Sequence, residues 1–280
     1  MIGIFDSGVG GFCAYRRVRE LLPREEILFL ADGKNAPYGI KTEDEIKKIT
    51  EKNIATLRAA GADKILIACC TASSLYDRLS QRDREITIPI IEPAARLAAE
   101  GKSIAVIATR HTATSHAFGR EIAKYTDAPV IEYAEQELVA MIEGGCRGHR
   151  ISRECIRHLR MIADRIRDVA ADTLILGCTH FSHVEGEIGR LLPRVRIINP
   201  ALVGAESVSS GRADPDRNNA ECEQIKTVDN CFYRSECAET RSNGSRVYRG
   251  EQYDYVSRER IQNAELAFPL RGRWQPQADG

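Results

Sequence analysis

From residue 1 to about 205 the chain alternates short runs of β-branched and other apolar residues with longer amphipathic stretches, and this alternation restricts its fold more than any other feature. Parallel neighbours in a sheet must be joined by a crossover, usually a helix, so strand–helix–strand order predicts an α/β fold with mostly parallel sheets. The candidate strands are 2–5, 27–30, 64–68, 88–91, 103–108, 130–132, 173–176 and 195–198. Between them, 44–60 places Ile46, Ile49, Asn53, Ile54 and Leu57 at helical steps, with Gly61 where a helix would stop. In 152–169 the apolar positions are Ile156, Leu159, Ile162, Ala163 and Ile166, and the arginines of the other face read as a solvated surface.

Two pairs of segments resemble one another. Residues 63–73 and 172–182 each pass from an apolar strand into a turn carrying cysteine and threonine, Cys69-Cys70-Thr71 in one and Cys178-Thr179-His180 in the other. More loosely, 3–8 and 106–114 both leave a strand with small acidic or hydroxylated residues. The expected architecture is therefore two similar domains, 1–92 and 93–205, facing each other across a cleft formed at the C-terminal ends of their strands. Residues 209–280 are rich in Arg, Asp, Asn, Ser and Gln and hold no sustained period; they form an atypical polar tail, part of which is expected to complete the first domain.

Charge and cysteine usage narrow the function. Forty basic side chains are balanced by forty acidic ones, which removes the electrostatic case for nucleic acid as a partner. Met1 to Phe5 run straight into Asp6-Ser7-Gly8 without the basic start and apolar stretch of a secretion signal, and no apolar run approaches the roughly 18 residues of a membrane span. A cytoplasmic location follows as the expectation. The cysteine count is nine, an odd number, and two of them are adjacent, so reduced thiols fit better than disulfides. The spacing of these cysteines does not match a zinc site, and no metal or cofactor is expected.

A thiol acts as a base only as its thiolate, and the end of a parallel strand running into a helix N-terminus offers a positive dipole and free N–H groups. Cys69 and Cys178 both occupy that setting. The same N–H groups suit a carboxylate, with Ser7, Ser73, Thr71 and Thr179 as added hydroxyl donors, and Thr109, Thr112 and Thr114 either binding that carboxylate or capping a helix. Exchange of an amino acid's α-proton without a cofactor needs a base on one face of the carbon and an acid on the other. A single cysteine after a strand is usually a small core residue, but two at matching positions on facing domains supply that geometry. Cys13, Cys146, Cys155, Cys222, Cys231 and Cys237 lack this context and read as packing or surface residues.

Four motifs in order, Phe5-Asp6-Ser7-Gly8-Val9-Gly10-Gly11, Pro37-Tyr38-Gly39, Cys69-Cys70-Thr71-Ala72-Ser73 and Gly177-Cys178-Thr179-His180, resemble the glutamate racemases of the aspartate/glutamate racemase superfamily over roughly residues 1–208. The resemblance implies a two-domain α/β isomerase, often a homodimer. It would interconvert L- and D-glutamate without pyridoxal phosphate or metal and supply the D-isomer for peptidoglycan synthesis and cell-wall biogenesis. It also implies that Cys69 takes the α-proton of the D-isomer and Cys178 that of the L-isomer, assisted by Asp6 and His180 respectively. Substrate contacts carry over to Ser7, Tyr38, Gly39, Thr71 and Thr179, and Glu143 falls where the family has a glutamate near the cleft. His183 stands where the family has an apolar residue and receives no role.

The chain departs from that pattern in three places. Cys70 replaces the asparagine that normally follows the first cysteine, exchanging an amide that donates and accepts for a thiol that does both weakly at a substrate-contact position. Glu135-Gln136 replaces the cysteine-proline pair that opens the segment leading to Glu143. The polar tail lacks the strand–helix finish of the family. These departures leave, as alternatives, a racemase of another acidic amino acid such as aspartate, or a relative that binds a ligand or partner without catalysis.

Overall fold

The structure, a computed structural model, describes residues 1–8, 10–145 and 151–210. The tail beyond Ser210, together with Cys146, Cys222, Cys231 and Cys237, lies outside the described residues. The first half contains β1 (Ile2–Asp6), α1 (Phe12–Leu21), β2 (Ile27–Ala31), α2 (Glu43–Ala59), β3 (Lys64–Ile67), α3 (Cys70–Ser73), α4 (Gln81–Ile86), β4 (Thr87–Pro89) and α5 (Ile91–Ala98). The second contains β5 (Ile104–Ala108), α6 (Arg110–Thr114), α7 (Ala117–Ile122), β6 (Val130–Ala134), α8 (Gln136–Gly145), α9 (Arg153–Asp168), β7 (Thr173–Gly177), α10 (Glu185–Leu191), β8 (Arg196–Ile198) and α11 (Pro200–Ser210).

The strands form two parallel four-stranded sheets, ordered β2-β1-β3-β4 and β6-β5-β7-β8. The orders are the same when the halves are superposed in sequence, so β1 corresponds to β5 and β3 to β7, the equivalence drawn above from the loops that follow those strands. The central strands are buried on both faces and read as unbroken apolar runs, as parallel strands covered by helices must. Four of the expected strands, 64–68, 88–91, 103–108 and 195–198, are slightly shorter, and one of them has a clear chemical cause. The run 88–91 ends at Pro89, which has no N–H for a ladder, and Ile91 already begins α5.

Two helices show how local sequence sets the element ends. Thr42 caps α2 through a capping box, its hydroxyl accepting from Glu45 N–H (3.3 Å) while Thr42 N–H donates to the Glu45 carboxylate (2.8 Å). Past the other end Gly61 takes φ +98°, the left-handed conformation that only glycine adopts freely. In α9, capped by Ser152, the buried stripe is Cys155, Leu159, Ile162, Ala163 and Ile166, so Cys155 rather than Ile156 begins it. The opposite face is not uniformly solvated: Arg165 pairs with the buried Glu135 and lies 4.5 Å over the Tyr133 ring.

A single apolar cluster joins the sheets. Ile4, Leu66 and Ile90 from the first half meet Val106, Ile175 and Ile198 from the second through α1, α5, α7 and α11. Full burial of each such side chain stabilises by about 1.5–3 kcal/mol. Helix α11 returns from the second sheet to pack on α1 and α5, and it comes close because position 204 is glycine: a Cβ there would lie 2.4 Å from Ile90 Cγ2. Among the described residues no helix is long and apolar enough to cross a membrane.

Candidate active site

The C-terminal ends of β1, β3, β5 and β7 converge on one cleft. Of the residues singled out from the sequence, Ser7, Tyr38, Gly39, Cys69, Cys70, Thr71, Thr109, Glu143, Cys178, Thr179 and His180 line it. Asp6 and Thr112 stand directly behind its wall, fully buried. The cleft is partly open to solvent, with about 30 Å³ of free space, room for two or three waters.

At the first strand end, Cys69 forms the N-cap of the four-residue α3. The helix dipole does not win here. Burial, and next the charge of Asp6, push the Cys69 thiol up to about 12, against the Ala72 N–H and the Ser7 hydroxyl, which favour the thiolate. Cys70 follows at the start of α3, and its thiol is driven well above the ordinary value by burial first and then by the charges of Cys178 and Cys69. It is an uncharged thiol at this pH range and supplies no strong donor to the cleft.

Asp6 spans the two halves. Its carboxylate accepts from Gly8 N–H (3.0 Å) and from the hydroxyl of Thr179 (3.1 Å), which belongs to the second thiol's loop. Burial raises its pKa despite the opposing His180 charge and these donors. The glycine-rich loop makes this approach possible. A Cβ on Gly11 would sit 2.4 Å from Asp6 Cβ, and one on Gly10 2.5 Å from Thr179 Oγ1. Gly10 therefore serves close packing between the halves, and Gly11 close packing within the first, against Asp6 and Ala68.

At the second strand end, Cys178 Sγ lies 3.8 Å from His180 Nδ1. Glu143, reaching down from α8, brings Oε1 to 3.0 Å from His180 Nε2. The contact is a charge pair rather than an aligned hydrogen bond, since Nε2 has no acceptor along its N–H direction. Burial works against a charged ring, but Cys178, Glu143 and Asp6 outweigh it and hold the His180 pKa well above the usual value. In return His180 holds the Glu143 carboxyl below its ordinary value. His183, three residues on in the same short helix, is pushed the other way, to about 4, by burial and by the His180 charge.

Three hydroxyls close the back of the cleft. Thr71 Oγ1 lies 3.0 Å from Thr109 Oγ1 and 3.3 Å from Thr112 Oγ1, and Thr109 and Thr112 are 3.0 Å apart. Thr109 is also the N-cap of α6, so cleft lining and helix capping are met by one residue. Thr114 bonds only to backbone carbonyls of its own helix and faces away.

Tyr38 is placed by residues that the motif reading missed. Its buried hydroxyl donates to Asp32 (2.6 Å) and accepts from the Asn53 amide (3.0 Å), and Asn35 donates to both Asp32 oxygens at 2.9 Å. Burial, with Asp32 adding to it, raises the phenol pKa far above the usual range. The hydroxyl is thus committed to the protein, and the cleft is offered the ring and the Tyr38–Gly39 backbone. Asn53 carried a sequence signal, a polar residue in phase with the buried stripe of α2. Of two more lining residues from α8, Gln136 was marked only as a departure from the motif pattern, and Val139 carried no signal.

The chain resembles known proteins in sequence and in fold. A family model described as Asp/Glu/Hydantoin racemase matches residues 14–208. The glutamate racemase of Gloeobacter violaceus is 34% identical over 215 residues, covering 75% of this chain and 80% of that protein. Among solved structures, glutamate racemase from Thermus thermophilus in complex with β-chloro-D-alanine aligns with a TM-score of 0.63 at 31% identity, covering 77% of this chain and 83% of that one. Glutamate racemase from Francisella tularensis in complex with D-glutamate aligns with a TM-score of 0.66 at 29% identity, covering 75% and 79%.

Proposed function

Because the chain belongs to the Asp/Glu/Hydantoin racemase family, we propose that it interconverts L- and D-glutamate with Cys69 and Cys178 as the two acid–base groups. The observation that carries this reading is the pair of buried thiols lining one cleft from opposite sheets, each at the end of a corresponding strand. One thiolate removes the α-proton, the electron pair of the broken C–H bond delocalises into the α-carboxylate, and the thiol on the other face returns a proton to the same carbon. Thiol and thiolate exchange roles when the substrate has the opposite configuration: Cys69 deprotonates the D-isomer and Cys178 the L-isomer.

The electrostatics give each end a different route to its thiolate. His180, held cationic by its surroundings, stabilises negative charge on Cys178 and can exchange a proton with it. Cys69, raised by burial and by Asp6, has no such neighbour. The α-ammonium of a bound amino acid would supply the missing positive charge, so the base at this end forms when substrate is present. Ser7, Cys70, Thr71, Thr109, Thr112 and Thr179, with the Tyr38–Gly39 backbone, form the surrounding contact set.

D-Glutamate made this way would serve peptidoglycan synthesis in the cytoplasm, with the enzyme acting as a homodimer. Incubation with L-glutamate in D₂O tests the reaction: α-deuterium incorporation together with loss of optical rotation supports it, and no exchange with any acidic amino acid overturns it.

A further inference from the structure

We infer that Gln136 is a specificity-determining residue whose side-chain amide donates to the distal carboxylate of the substrate. The inference rests on the glutamate reading above.

Gln136 stands at the start of α8 and is the only carboxamide among the described residues lining the cleft. Its orientation is fixed by chemistry. Arg110 N–H points at one end of the amide from 3.3 Å, and because an N–H needs an acceptor, that end is the oxygen. The NH₂ is thereby turned elsewhere and makes no hydrogen bond within the described residues. An amide whose oxygen is held and whose two donors are unused is arranged to receive an acceptor.

Position in the cleft identifies which acceptor. Gln136 Oε1 presses on the first half's loop, where a Cβ added to Gly39 would lie 2.5 Å from it and 2.8 Å from Thr109 Cβ. Along the cleft wall Thr71, two residues after Cys69, meets Thr109 at 3.0 Å, and the next residue, Arg110, holds the amide, so Gln136 is set apart from Cys69 by two threonines. A substrate with its α-carbon between Cys69 and Cys178 would extend its side chain toward Gln136. A carboxylate is the acceptor that gains most there, since hydrogen bonds to a charged group are stronger than neutral ones.

The test compares wild type with Gln136→Ala, Gln136→Glu and Gln136→Asn, using calorimetric titration with D-glutamate and with D-norvaline, which has a methyl group in place of the distal carboxylate. Glutamate affinity should fall at least about tenfold in Gln136→Ala and further in Gln136→Glu, where carboxylate would face carboxylate. Norvaline affinity should stay within about twofold in all variants. In kinetics the loss should appear in KM, with kcat within about threefold, and unfolding midpoints should be unchanged. Unchanged glutamate affinity in Gln136→Ala and Gln136→Glu overturns the inference, as does an equal loss for glutamate and norvaline. Glutamate binding without α-proton exchange in the wild type would instead sink the racemase reading, leaving the binding comparison intact.

Discussion

The ends of β3 and β7 are built to one plan, strand, cysteine, threonine, short helix, yet they treat their thiols differently. Cys178 has a cationic neighbour of its own, His180 at 3.8 Å, itself backed by Glu143. Cys69 has only hydrogen-bond donors, Ser7 and the Ala72 N–H, and a carboxylate, Asp6, that works against its ionisation. The difference teaches that a helix N-terminus one turn long does not ionise a fully buried thiol, because desolvation of the charged form exceeds what a few backbone dipoles return.

Serine at either cysteine gives the largest expected effect. Cys69→Ser and Cys178→Ser should each lower racemisation by at least about 10³-fold, measured by polarimetry from both enantiomers. The equilibrium constant between mirror-image substrates is unity, so both directions must lose kcat/KM equally. Retained activity in either variant removes the corresponding strand end from the mechanism.

His180→Asn breaks the asymmetry more selectively. A fall of about 10²-fold or more in kcat is expected, because Cys178 then becomes a buried thiol without a cation, like Cys69. A loss under about threefold would show that the cation is not what separates the two ends.

Glu143→Gln sharpens the same comparison through pH. The His180 pKa is raised in the fold, so its cation is fully present below its unfolded value of 6.5 and is lost as pH rises through the folded value. Removing the Glu143 charge lowers that folded value. The alkaline limb of the kcat profile should therefore move to lower pH, with a loss of roughly tenfold on that side. The stability contribution of Glu143 has the opposite window. Its folded pKa is depressed, so the contribution is present above 4.5, disappears as pH falls through the folded value, and should be absent from acid denaturation curves of the variant. An alkaline limb that does not move would mean that Glu143 does not support His180.

Tyr38→Phe carries the smallest effect and bears on the first half alone. It leaves Asp32 without the 2.6 Å donor and should cost about 1–3 kcal/mol in denaturant unfolding, with KM rising more than kcat falls. Equal losses in both halves of that split would place the hydroxyl in the chemistry instead of in support of the loop.

Much of this was legible in the chain. The central strands could be read because burial on both faces demands unbroken apolar runs, and both thiols because each closes such a run. The helices 44–60 and 152–169 could be read from apolar spacing, and the caps that start them, Thr42 and Ser152, need only neighbours in sequence. Asp32, Gln136 and the Arg165–Glu135 pair were not legible. Each acts on a partner brought near by folding: Asp32 on Asn53 in another element, Gln136 on a loop of the other half, Arg165 on a carboxylate thirty residues earlier. An arginine on a polar helix face looks the same in sequence whether it meets water or a buried glutamate.

The sequence by itself therefore determined the repeated strand–turn units, and with them the parallel sheets and the two cysteines at equivalent ends, because hydrophobic periodicity and turn chemistry are local. Only the tertiary structure decided that the two ends are chemically unequal. The ionisation of a thiol depends on burial and on every charge within a few ångströms, and Asp6, Glu143 and His180 reach Cys69 and Cys178 only when the halves are packed together.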